Sequence, residues 1–179
     1  MASVFYGSHN PRVAIVYNAL SVATCGIFGI AALWMNGALF GILAKEVAEH
    51  GHLGFLLSSV APHGVSELGG IFISVGAGFL LAGAVIRPGR LSRFEAIKRA
   101  GQDAAVLMIL SLAMIFIAAP IEGFFSFNPA VPQWVKVVFA VLHFAAWGAY
   151  FSGYGRSGPP EGASASDLRP EPLDGDPEF

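Results

Sequence analysis

Charged side chains are scarce in this chain. Ten Lys and Arg and twelve Asp and Glu make up only 12% of the 179 residues, against about 25% in a soluble domain. That deficit excludes an ordinary soluble fold. Cysteine is scarcer still. Cys25 is the single thiol and lies inside an apolar block, so an intrachain disulfide and a cysteine zinc cluster are both excluded. It reads as core packing. Excess basic charge is missing too, with a net charge of −2, and no nucleic-acid partner is suggested. The opening stretch Met1 to Asn10 has no basic lead, so a cleaved signal peptide is not expected and the first helix reads as a retained anchor. Glycines lie inside apolar blocks rather than in a phosphate-binding loop, and Ser66 and Ser74 have no nucleophile context.

The chain does have long apolar runs. Val13 to Ala44, Leu68 to Ile86, Ala104 to Ile121 and Val137 to Gly155 contain no charged residue. A helix needs about 20 mostly apolar residues to cross the hydrocarbon core. So few residues could not shield four such helices from water, which leaves a bilayer. The expected fold class is an all-α, polytopic transmembrane helix bundle with about four full crossings plus a broken or re-entrant helical segment.

Three regions are expected. Residues 1–10 form a short polar lead, 11–154 the transmembrane helical domain, and 155–179 a disordered acidic tail rich in Pro, Gly and Ser. The first helix is expected from about Arg12 to Trp34, where Gly26 and Gly29 allow close helix packing. Asn36-Gly37 is a turn signal. Residues 36–62 read as a half-length hairpin or an interfacial extension, stopped by Pro62. Another helix follows the Pro62-His63-Gly64 break and ends at Arg87. Ser92 and Glu95 have the spacing of a capping box ahead of a helix to Ile121. A last helix spans about Gln133 to Tyr154, with Trp134 near one end and Trp147, Tyr150 and Tyr154 near the other.

Basic residues set the expected orientation. Arg87, Arg90, Arg93, Lys98 and Arg99 form the strongly basic stretch 87–99, which the positive-inside rule places in the cytoplasm together with the tail. Residues 122–133 lack Lys and Arg and fall outside. The side of the amino terminus depends on whether 36–62 crosses. The basic stretch reads first as a topology determinant, with an anionic-lipid or partner contact as the alternative.

Two carboxylates, Glu67 and Glu122, fall where hydrocarbon is expected. A central membrane charge costs about 2.5–3.5 kcal/mol on insertion scales, so each must be paired, neutralised or wet. His63 precedes Glu67 by four residues and shares its helical face. A polar intramembrane site built from His63, Glu67, Glu122 and Asn36, with His143 as a further member, is one reading. The other, which is favoured, has the two glutamates capping helix ends and pinning the hairpin. The HExxH spacing of a zinc enzyme is absent and no third ligand is indicated, so no metal and no cofactor is expected. His50 and His52 read as solvated turn residues.

These same residues carry a resemblance. Asn10-Pro11-Arg12-Val13-Ala14, the Asn36-Gly37 pair, Leu53-Gly54-Phe55 and the Arg87 helix end are among its marks. Pro62-His63-Gly64-Val65-Ser66-Glu67-Leu68 and Ala119-Pro120-Ile121-Glu122-Gly123-Phe124 are more specific. Over about residues 5–155 the chain resembles the stage II sporulation protein M family, without that family's usual amino-terminal segment. The resemblance implies a helical integral membrane component without a known catalytic activity, and no enzyme is expected. In spore formers the founding member helps to localise a peptidoglycan-degrading complex at the septum. The expected function is a membrane scaffold or assembly factor for a cell-envelope complex, with lipid and membrane or envelope proteins as partners. A homo-oligomer is admitted. The alternative is a transporter or channel for a small solute or ion acting through a broken-helix site at Glu67.

Overall fold

The computed structural model describes residues 2–24 and 26–154, with side chains over 12–24 and 26–153. The expectations for Cys25 and for the tail 155–179 lie outside the described residues. Every regular element is helical: α1 (Ala2–Ala23), α2 (Ile27–Glu49), α3 (Leu53–Ile86), α4 (Arg93–Pro120), a π-helical segment (Ile121–Ser126) and α5 (Gln133–Tyr154). Among the described residues, four stretches are long and apolar enough to cross a membrane: Ile27–Glu49, Leu53–Ile86, Arg93–Ser126 and Gln133–Gly153. The all-α, multi-pass class is therefore present.

Several boundaries differ from the sequence expectation. Residues 2–10 are not a separate lead, because α1 already begins at Ala2. The helix expected over Arg12 to Trp34 is two helices. Gly26 adopts φ 93° between them, a left-handed conformation that glycine reaches without a Cβ penalty. Thr24 bridges the break, with its hydroxyl donating to the Leu20 carbonyl at 2.7 Å and accepting from Phe28 N–H at 2.9 Å. Asn36-Gly37 makes no turn. The Asn36 amide donates back to the Ala32 carbonyl (2.9 Å) and to the Tyr17 hydroxyl (3.3 Å), so its polar group is satisfied inside α2.

The expected half-length hairpin over 36–62 is likewise replaced. Helix α2 runs on to Glu49, a tight turn through Gly51 (φ 76°) follows, and α3 continues unbroken through Pro62. At 34 residues, α3 is about 51 Å long, more than the ~30 Å hydrocarbon core requires. Proline is tolerated inside such helices when neighbours satisfy the freed backbone. Ser92 does cap α4: its hydroxyl accepts Glu95 N–H at 3.3 Å and meets the Glu95 carboxylate at 3.3 Å.

Polarity is inverted relative to a soluble bundle. Ile27, Trp34, Ile42, Ile109 and Phe144 are exposed, whereas Ser59, His63, Ser66 and Ser74 are buried. Together with buried Gly70 and Gly78, these side chains form a seam at helical spacing along one face of α3. Small residues bring backbones close, and hydroxyls then bond across helices. Ser74 donates to the Ala14 carbonyl (2.6 Å), Ser111 to the Gly70 carbonyl (2.7 Å), and the Asn18 amide to the Ser74 carbonyl (3.1 Å). A Cβ on Gly29 would collide with the Ser21 side chain and would lie 2.7 Å from Val75, and one on Gly26 would lie 2.6 Å from Phe79. Both glycines therefore serve packing within the chain. Ala14, Ile71 and Ile115 form the small apolar centre of this assembly.

The chain divides into two compact units, Met1–His143 and Phe144–Phe179. In the described part of the second, Trp147 stacks on Phe151 at 5.8 Å, and Tyr150 meets both rings edge-on.

Candidate functional site

The site is built on α3 and the π-helical segment. Helix α3 presents His63 and Glu67 one turn apart on one face, with Nε2 of His63 3.9 Å from Oε2 of Glu67. Pro120 ends the regular part of α4, and the chain widens into Ile121–Ser126. Such wide turns recur at functional sites. This one carries Glu122 and, a turn later, Ser126. Both face α3. Ser126 lies 2.7 Å from Nδ1 of His63, and one donor atom from each of His63, Glu67 and Glu122 lies within 4.8 Å of the others. Glu122 follows Glu67 by 55 residues in sequence, and the antiparallel course of α3 and α4 brings them together.

The cluster is largely withdrawn from its surroundings. His63 is only 5% exposed, and the Glu67 side chain 22%. Oε2 of Glu122 is buried with no hydrogen-bond partner among the described residues. His63 and Glu67 also line a partly open cavity of about 310 Å³ between α2 and α3, together with Leu33, Asn36, Phe40 and Ile71 among others. Asn36 thus borders the same space from the α2 side, but its amide is held by Tyr17 and Ala32.

His143 is placed elsewhere. Its Nδ1 is 2.9 Å from the Pro62 carbonyl and its Nε2 2.8 Å from the Ser66 hydroxyl. It fastens α5 to α3 one residue away from His63 rather than joining the two glutamates. Lys136 went unnoticed in the sequence reading. It is 1% exposed, with its ammonium 5.7 Å from the centre of the Phe55 ring. The one available signal was a lysine in the first turn of an otherwise apolar helix. Exposed His50 and His52 flank the α2–α3 turn, and His50 contacts the Glu46 carbonyl at 2.9 Å.

Four long apolar helices among the described residues, with a His–Glu–Glu cluster and a hydroxyl-lined seam buried along α3, define a multi-pass membrane protein. Residues 1–127 match the family described as Stage II sporulation protein M, and the chain belongs to that family. The match ends ahead of α5, whereas the resemblance read from the sequence runs to about residue 155. Neither the curated proteins nor the solved structures include a significant match.

Proposed function

We propose that this protein is a non-enzymatic membrane scaffold or assembly factor for a cell-envelope complex that remodels peptidoglycan. Family membership supports this reading. The observation that carries it is the bareness of α2, of whose most apolar stretch only 11% is buried within the chain. Ile27, Ile30, Trp34, Leu39 and Ile42 all point outward, leaving a full-length face for lipid and for the helices of a partner or a second copy. The hydroxyls of Ser66, Ser74, Ser111 and Ser126 are engaged in bonds between helices, which suits a rigid framework. In this reading the basic stretch 87–99 and the tail face the cytoplasm.

The test is crosslinking in the native membrane from a photoreactive residue placed at Trp34 or Ile42, followed by mass spectrometry. A reproducible envelope or peptidoglycan-hydrolase partner is expected. Self-crosslinks alone would count against the scaffold reading. Gly26 and Gly29 are poor positions for this test, because substitution there disturbs internal packing.

A transporter or channel is the second reading, favoured by the cavity of about 310 Å³ that His63, Glu67 and Asn36 border. It requires flux in proteoliposomes that disappears in Glu67→Gln while the protein stays folded. Unchanged flux in that variant would remove Glu67 from any transport mechanism.

A further inference from the structure

We propose that His63, Glu67 and Glu122 bind one divalent transition-metal cation of the zinc class, which ties α3 to the π-helical end of α4. The donor set is one imidazole and two carboxylates; both are zinc donors, and zinc held by three protein ligands keeps an open position. Their donor atoms lie within 4.8 Å of one another. Ligand atoms around a tetrahedral zinc, bound at about 2.0–2.1 Å, are about 3.3 Å apart. The 3.9 Å between His63 and Glu67 therefore needs to close by roughly half an ångström, and Glu122 by up to about 1.5 Å. Side-chain torsions supply movements of that size.

Two independent observations point to a ligand. The first is the buried Oε2 of Glu122, which no hydrogen bond from the described residues reaches. A buried carboxylate oxygen without a partner carries its full desolvation penalty, and two carboxylates facing each other in a low-dielectric interior add repulsion. A dication cancels both charges at once. The second is the arrangement behind the imidazole. Ser126 sits 2.7 Å from Nδ1, on the far side of the ring from the Nε2 that faces Glu67. Metal-binding histidines are oriented in this manner, with the remote nitrogen bonded to an outer partner that sets the tautomer. His63 and Glu67 also line the α2–α3 cavity, which leaves room for a water or other small ligand at the ion's open position. Imidazole favours zinc, iron or nickel over magnesium or calcium. The assignment does not depend on whether the chain acts as scaffold or transporter.

The test uses the full chain in detergent with a histidine-free affinity tag, stripped with chelator and titrated with Co²⁺ and Zn²⁺. We expect one ion per chain by elemental analysis and visible Co²⁺ absorption bands of a low-coordinate site. Binding should be at least tenfold weaker in Glu122→Gln and in His63→Gln. Ser126→Ala should weaken it about 10–100-fold, as outer partners do. The double variant His50→Ala/His52→Ala should bind as the parent does. Helix content and monodispersity confirm the fold of each variant. A folded parent protein that takes up no ion overturns the proposal without recourse to any variant. So does equal binding in Glu122→Gln, or loss of binding only in the His50/His52 variant.

Discussion

His143 donates from Nδ1 to the carbonyl of Pro62 across 2.9 Å. A carbonyl can only accept, so the proton must sit on Nδ1, and in the neutral ring Nε2 is left to accept from the Ser66 hydroxyl 2.8 Å away. One side chain thus bonds α3 twice, beside the proline where that helix lacks a backbone donor.

Replacing it should loosen α5. Hydrogen bonds between membrane helices contribute about 0.6 kcal/mol each on average and up to about 1.7. His143→Ala loses both and should cost about 1–3 kcal/mol. His143→Asn places an amide nitrogen near the Nδ1 position and should recover part of that. Thermal unfolding in detergent gives the order parent, Asn, Ala. An Ala variant as stable as the parent would show that the pair does not hold α5.

Two glycines in α3 should respond oppositely to alanine. A Cβ on Gly70 would lie 2.8 Å from the Ser111 carbonyl and 2.8 Å from Ile115, while one on Gly76 meets nothing within 4 Å. The Ser111 carbonyl is backbone, so α4 would have to move, and overpacking of this kind costs about 1–3 kcal/mol. Gly76→Ala should be neutral or stabilise by up to about 1 kcal/mol through helix propensity. Melting curves of the two variants, measured side by side, separate packing glycine from permissive glycine.

The membrane class was legible because lipid demands long uncharged blocks, and these stand in the sequence without any need of tertiary information. The breaks were less so. The block from Val13 to Ala44 is 32 residues long, more than one crossing needs, and Thr24 with Gly26 marks where it divides. Asn-Gly and Pro-His-Gly looked like breaks by the rules of water-soluble chains. In the bundle, Tyr17 and the Ala32 carbonyl satisfy the Asn36 amide, and α3 continues through Pro62, so the helices run through. His63 and Glu67 were legible as a pair from their spacing. Glu122 was suspected from its depth alone, but the π-helical turn that aims it at them has no period to read. Lys136 was missed because a lysine near a helix end ordinarily reaches water.

Lys136 leads to a third prediction. It is 1% exposed and rests on the Phe55 ring. A desolvated cation–π contact contributes about 2 kcal/mol, whereas withdrawing an ammonium from water costs several. Lys136→Met keeps the volume and removes the charge, so it should raise stability by about 1–2 kcal/mol. Lys136→Ala leaves a void and should not. A Met variant less stable than the parent would mean that the ammonium has a partner of greater value than the ring.

The expected orientation combines the order of the spans with the placement of basic residues. If α2, α3, the α4–π stretch and α5 each cross, the 87–92 connection lies on one side, and the 50–52 turn and the 127–132 loop on the other. By the positive-inside rule, the basic residues around Arg87 to Arg99 lead us to expect the first of these in the cytoplasm. A cysteine probe should avoid Ser92, whose hydroxyl caps α4; Arg90 and Ala130 are exposed. In a Cys25→Ser background, an impermeant maleimide applied to intact cells should label Ala130→Cys and spare Arg90→Cys until the membrane is opened. The reverse pattern would invert the protein and place the His63–Glu67–Glu122 end in the cytoplasm. Labelling of both positions in intact cells would mean that one of the four long helices fails to cross.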